Sequence, residues 1–116
     1  MEVQIFGVKK DVNTRKAQRF FAERRIKIHF VDLDQRAASL GEIKRFAQKF
    51  GVGAIIDQNS RRYQELGLSN ARMSDDSWIG KLADEPELLR IPLVRNGKLL
   101  TIGLAEEEWK QWTAAK

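Results

Sequence analysis

Three features of the chain predict a mixed α/β fold built on a four-stranded sheet. The first third reads as strand, helix, strand with short links, the pattern of a right-handed parallel crossover. The middle is helical. The last third carries a β-hairpin signal followed by one more helix. Taken in order, Val3-Gln4-Ile5-Phe6-Gly7-Val8 alternates until it meets Gly7 and predicts strand one. Thr14 to Arg25 predicts a helix. Ala17, Phe20, Phe21 and the aliphatic stem of Arg24 recur at i, i+3, i+4 and i+7, leaving Arg15, Lys16 and Arg19 on the outer face. Ile26 to Leu33 is rich in β-branched and aromatic residues and predicts strand two.

Ser39 then stands as a helix cap with Glu42 in the capping-box position. Leu40, Ile43, Phe46, Ala47 and Phe50 form the apolar face of that helix, and Gly51 supplies a left-handed stop. Residues 52 to 73 read as short helical turns, including Arg61-Arg62-Tyr63-Gln64-Glu65-Leu66 before Gly67. Ser74-Asp75-Asp76 caps a further helix with Trp78, Ile79 and Leu82 turned inward. Pro92 to Arg95 and Lys98 to Ile102 flank Asn96-Gly97, the strongest short hairpin signal. A final helix from about Ala105 to Ala115 sets Trp109 and Trp112 on one face, as core or docking surface. No repeat or linker is visible. The expectation is one domain over residues 1–116 with a helical insertion at about 39–89. A mixed four-stranded sheet covered by helices is the thioredoxin-like arrangement.

The composition bounds the function. At 116 residues, 42% hydrophobic and 32% charged with two prolines, the chain fits one globular domain and excludes a disordered or collagen-like chain. No apolar run approaches the ~18 residues of a membrane span. Met1-Glu2-Val3 lacks the basic-then-apolar pattern of a signal peptide, so a cytoplasmic location and no membrane partner are expected. There is no cysteine, which removes disulfides, thiolate metal ligands and any mechanism with a protein thiol as nucleophile. The single histidine, His29, lies in a strand and reads as a structural or surface residue; no metal site is assigned. The net charge of +5 falls on residues 1–58, with 12 Lys and Arg against 7 Asp and Glu, while the remainder balances at 9 and 9. A basic half suits an acidic protein, a nucleic acid or an anionic small molecule. The lack of interleaved aromatic and basic residues argues against direct nucleic-acid binding.

Function in such a fold concentrates in the loop after strand one, where the helix N-terminus offers unpaired N–H groups and a positive dipole end. Here Asp11 opens the helix. One reading makes it an N-cap, worth on the order of 1 kcal/mol. The other makes it a nucleophile or general base helped by Thr14 and Lys10, although no histidine or metal cluster accompanies it.

The stretch Gly7-Val8-Lys9-Lys10-Asp11-Val12-Asn13-Thr14-Arg15-Lys16-Ala17 resembles the active-site segment of the arsenate-reductase-like family, which includes the Spx regulators and the YffB-type proteins. There the segment runs Gly-Ile-Lys-Asn-Cys-x-x-x-(Lys/Arg)-Lys-Ala. Tyr63-Gln64-Glu65-Leu66-Gly67 resembles the family's Tyr-x-x-Leu-Gly. Ser74-Asp75-Asp76, Leu88 to Leu93 and Gly97-Lys98 to Gly103 follow in the family's order, so the likeness spans nearly the whole chain. The resemblance implies a thioredoxin-like, glutaredoxin-related fold. It sets the catalytic cysteine at Asp11 and the three oxyanion-holding arginines at Asp57, Ile91 and Leu104, with Arg90 one residue out of place. A carboxylate cannot cycle through a mixed disulfide, and it carries negative charge to where arsenate would bind. Arsenate reduction by this chain alone is therefore not expected, and no catalytic residue is assigned.

The resemblance also implies a cis Pro92 facing the helix-one loop, with Ile91 presenting backbone groups to an extended peptide or to glutathione. The candidate groove residues are Lys10, Asp11, Thr14, Arg15, Arg90, Ile91 and Pro92. Lys16 and Arg19 are candidates for a partner surface, extended by Arg24 and Arg25. Two functions follow. The favoured one is a non-enzymatic protein-interaction or regulatory module, with a transcription-linked partner because Spx-like relatives contact RNA polymerase. The alternative is an enzyme that uses the thiol of bound glutathione, the one cofactor the resemblance leaves open.

Overall fold

The computed structural model describes residues 1–114. It divides into two compact units, one of Met1–Arg36 with the chain from Ile91 onward, the other of Ala37–Arg90. The strands are β1 Glu2–Gly7, β2 Lys27–Asp32, β3 Leu93–Asn96 and β4 Leu99–Ile102. The helices are α1 Val12–Glu23, α2 Leu40–Phe50, α3 Arg61–Glu65, α4 Asp75–Asp84 and α5 Glu106–Ala114.

The first unit is the mixed sheet expected of the chain, in the order β2-β1-β3-β4. β1 runs parallel to β2 and antiparallel to β3, and β3 antiparallel to β4. Alternation along β1 sends Val3 and Ile5 to one face, where Ala17, Phe20 and Phe21 of α1 and Trp109 of α5 close the core with Ile26 and Val94. Trp109 is wholly buried, and its indole N–H donates to Thr101 Oγ1 at 2.8 Å, so a buried polar pair is satisfied inside the apolar layer. The Phe20 and Phe21 rings lie 5.5 and 5.3 Å from Trp109, and Trp112 is stacked 6.4 Å from Phe21, which makes the shared face of the two tryptophans part of the core.

In this unit the details depart from the sequence reading in three places. The first helix starts at Val12 rather than Thr14, because Asp11 supplies the cap. Arg24 lies past its end, and the charged head rather than the stem covers Phe20: the guanidinium carbon sits 3.6 Å above the ring and Nη1 donates to the Phe20 carbonyl at 2.9 Å. Asn96 pairs with Leu99 in the ladder, so the hairpin loop is Gly97-Lys98, one residue later than expected, with Gly97 at φ +60°. The last helix is described through Ala114; Ala115 lies outside the described residues.

In the second unit the Ser39 hydroxyl accepts from the Glu42 N–H at 3.1 Å while the Glu42 carboxylate accepts from the Ser39 N–H at 2.8 Å, a complete capping box. Ile43, Phe46 and Ala47 of α2 are buried. Gly51 takes the positive φ expected of it, +87°, but its ψ of 147° turns the chain out extended, straight into the 3₁₀ turn Val52–Ile55. Ser60 and Ser74 cap α3 and α4. Ile79 and Leu82 are buried as expected, whereas Trp78 is only half-buried. Arg62 holds Glu85 with two parallel bonds, Nε at 2.9 Å and Nη2 at 2.8 Å, which push the Glu85 carboxyl below its usual range and the Arg62 guanidinium above its own.

Candidate functional site

The candidate site begins where β1 ends. A Cβ on Gly7 would press into Thr14, against its Oγ1 and 2.6 Å from its Cγ2, so glycine lets the first turn of α1 seat against the strand end. Thr14 is 0% exposed. Its hydroxyl needs an internal partner, and Asp11 provides it.

Asp11 sits in extended backbone at φ −76° and ψ 128°, after a turn in which its N–H donates to the Val8 carbonyl at 3.1 Å. Its Oδ2 accepts from the Thr14 N–H and from the Thr14 hydroxyl, both at 2.8 Å. One oxygen therefore satisfies an orphan donor of the helix and a buried side-chain hydroxyl together. This is the cap geometry. The helix N–H that would favour a thiolate at this place is engaged by a carboxylate, which has no thiol–disulfide chemistry to offer.

Lys10 and Arg15 flank the cap and are both exposed; Arg15 Nη2 donates weakly to the Lys10 carbonyl at 3.4 Å. Lys16 and Arg19 are exposed on the outer face of α1, and neither has an ion pair among the described residues. The Ile91–Pro92 peptide is cis. Pro92 is buried, with its carbonyl accepting from the Gly103 N–H at 2.8 Å, and Ile91 is half-buried. Because Phe6 pairs with Leu93, the antiparallel register brings Pro92 to the end of the sheet at which Gly7 and the Asp11 loop lie. Lys10, Asp11, Thr14, Arg15, Ile91 and Pro92 thus share one unit and one end of its sheet.

Arg90 closes the other unit, exposed, with Nη1 donating to the Ala54 carbonyl at 3.2 Å. Asp57 is an Asx turn, its Oδ1 accepting from the Asn59 N–H at 3.0 Å, and Leu104 is 41% exposed. Asp57, Ile91 and Leu104, the positions at which the resemblance expects arginines, are thus a carboxylate and two aliphatic side chains. Among the described residues no three His, Asp or Glu side chains gather into a metal-holding group. Sequence reasoning missed the role of Gly7; its signal was the glycine that interrupts an apolar strand just before the loop.

The chain matches the ArsC family over residues 6–112. An arsenate reductase of Neisseria meningitidis is 31% identical over 101 residues, covering 84% of this chain and 86% of that protein. The global transcriptional regulator Spx of Staphylococcus aureus is 25% identical over 116 residues, covering 98% of this chain and 88% of the regulator. The solved structure of an arsenate reductase from Vibrio cholerae superposes with a TM-score of 0.84 at 24% identity, over 96% of this chain and 97% of that one. No described helix is long and apolar enough to cross a membrane. With the match running from residue 6 near the end of β1 to residue 112 in α5, the chain belongs to the ArsC family, and it holds no cysteine.

Proposed function

We propose that this ArsC-family chain acts as a non-enzymatic protein-interaction module that binds an acidic, transcription-linked partner through the outer face of α1. The observation that carries the reading is the Asp11 cap: at the helix start where the resemblance expects a thiol, a carboxylate is engaged in capping, in a chain without any cysteine. The charge distribution supports a protein partner. The unit that bears α1 holds 13 Lys and Arg against 8 Asp and Glu, whereas the other unit balances at 8 and 8, so the whole net charge of +5 belongs to the first. Arg15, Lys16 and Arg19 concentrate that charge on one exposed helix face, where it steers association with an acidic surface. The likeness to a protein named as a global transcriptional regulator supports a transcription-linked partner, and RNA polymerase, the contact that the resemblance implies, is the one to try first.

The test is capture of purified bacterial RNA polymerase on the immobilised chain, with Arg15→Glu/Arg19→Glu as the variant. Binding by the wild type and its loss in the variant, at unchanged far-ultraviolet circular dichroism, is the expected result. Equal capture by both proteins, or by neither, refutes it. A parallel NMR titration with reduced glutathione discriminates the enzymatic alternative. Saturable amide shifts from Lys10 to Thr14 and around Ile91 and Pro92, with glutathione thiol reactivity above the solution background, would replace the module reading with a glutathione-dependent one.

A further inference from the structure

The sheet of the first unit has a second face, opposite the one that carries Val3 and Ile5. Register places Glu2, Gln4 and Phe6 of β1 there, with Lys27, His29 and Val31 of β2 and Leu93 and Arg95 of β3. At the Phe6 end this face is apolar, and Phe6, Val31 and Leu93 are buried. At the other end it is polar and open. Gln4 pairs with His29 on one side and Arg95 on the other, so three hydrogen-bonding side chains stand in a row across three adjacent strands. With Glu2, Val3 and Gly97 they line a recess of about 230 Å³.

The row is built but unoccupied by protein. Arg95 is aimed by its Nε, which donates to the Gly97 carbonyl at 2.9 Å, and its two Nη groups have no acceptor among the described residues. Among the described residues neither Gln4 nor His29 makes a side-chain hydrogen bond. The charged groups around them are Glu2 and Lys27, which pair with each other at 3.5 Å, and Lys98 in the exposed hairpin loop. Directly opposed side chains on adjacent strands stand roughly 5 Å apart at Cβ, within reach of the several oxygens of one anion. A guanidinium edge presents two parallel N–H donors to an oxyanion, and a carboxamide and an imidazole add one donor each.

We propose that Gln4, His29 and Arg95 form a binding site for a small oxyanion, a phosphate or carboxylate group, on the open end of this sheet face. The site lies three residues along β1 from Gly7, roughly 10 Å from the strand end where the Asp11 loop begins. It is independent of the Asp11 loop and of the partner surface on α1.

The experiment is an NMR titration of the labelled chain at fixed pH and constant ionic strength, with inorganic phosphate in one arm, acetate in a second and chloride in a control arm. The chain has a single histidine, so the His29 ring proton is an unambiguous reporter alongside the Gln4 side-chain amide and the Arg95 Nε–H. Saturable movement of these three signals with phosphate is expected, half complete at millimolar concentration or below. Saturation with acetate as well assigns the site to carboxylates and phosphates together. Arg95→Ala should weaken the response at least tenfold. Arg95→Lys, which keeps the charge but loses the fork, should weaken it less and serves if the alanine variant fails to fold. Lys44→Ala on α2 should leave it unchanged. A linear drift identical with chloride, or full retention of the response in a folded Arg95 variant, overturns the proposal.

Discussion

Replacing Asp11 by alanine tests the central structural claim, that this residue is a cap. The substitution removes the acceptor of two bonds at 2.8 Å, one from the Thr14 N–H and one from the Thr14 hydroxyl. Loss of an N-cap costs about 1 kcal/mol. The second loss adds to it, because Thr14 is wholly buried and its hydroxyl would be left without an acceptor, at about 1–2 kcal/mol. The expected destabilisation is therefore about 2–3 kcal/mol, a large share of the 5–15 kcal/mol typical of a domain. Asp11→Asn keeps a side-chain acceptor and should lose well under about 1 kcal/mol. Adding Thr14→Val to Asp11→Ala removes the stranded hydroxyl and should recover about 1 kcal/mol. Urea unfolding followed by circular dichroism at pH 7 measures all four proteins, with an unchanged m-value showing that the loss is in the folded state. A loss below about 0.5 kcal/mol in Asp11→Ala, or no recovery in the double variant, refutes the argument that one oxygen serves both donors.

Three further outcomes follow from the same contacts. Gly7→Ala should cost about 1–3 kcal/mol by overpacking, and Thr14→Ala should offset part of that, so the pair is less unstable than the sum of the singles in urea unfolding. Trp109→Phe removes the indole bond to the buried Thr101 hydroxyl and leaves a gap in the α1–α5 core; a loss of about 2–4 kcal/mol, read as a lower midpoint of thermal unfolding, is expected. Arg62 lowers the folded-state titration of Glu85, so the pair stabilises fully above the usual carboxylate range and loses that contribution as pH falls through the lowered value. The stability difference between wild type and Glu85→Gln should accordingly shrink on acidification below pH ~4, and a difference that grows instead would contradict it.

Much of the fold was legible because local signals agreed with tertiary demands. The capping box at Ser39 and Glu42, the apolar stripe of Ala17, Phe20 and Phe21, and the paired tryptophans each needed only their own segment to be read. What escaped depends on contacts between distant residues. Arg24 looked like an aliphatic filler, yet a positive head over an aromatic ring and a carbonyl is visible only once the helix end is placed. The Gly7–Thr14 contact joins a strand end to a helix turn, and no periodicity encodes it. The row of Gln4, His29 and Arg95 exists only through register, because its members come from three strands and two of them are 66 residues apart in sequence. The position of the candidate site comes from the resemblance, and its expected chemistry from four residues at which the chain departs from the family pattern, Asp11, Asp57, Ile91 and Leu104.

The first of these departures can be reversed, and doing so separates ancestry from activity. Asp11→Cys places the cysteine that the resemblance expects at a helix N-terminus whose first N–H groups and dipole favour an anion, so the new thiol should ionise below the ~8.5 of a free cysteine. Two neighbours add to this, because Lys10 and Arg15 are exposed cations on either side of the position. The pH dependence of iodoacetamide alkylation reads the effect directly, and the variant has no other thiol to confuse it. Arsenate reduction should nevertheless remain absent. The substitution supplies a nucleophile, but Asp57, Ile91 and Leu104 stand where the resemblance expects the oxyanion-holding arginines, and none of the three can donate a charged hydrogen bond. At pH values below that of the thiol's ionisation the same variant should be less stable than wild type by an amount close to that of Asp11→Ala, since a neutral thiol is a weak acceptor for the Thr14 donors. Reactive alkylation without reduction would show that a reactive thiol in this fold is only one part of the reductase. Turnover of arsenate by Asp11→Cys alone would refute the argument, because it would mean that the expected arginines were never needed here.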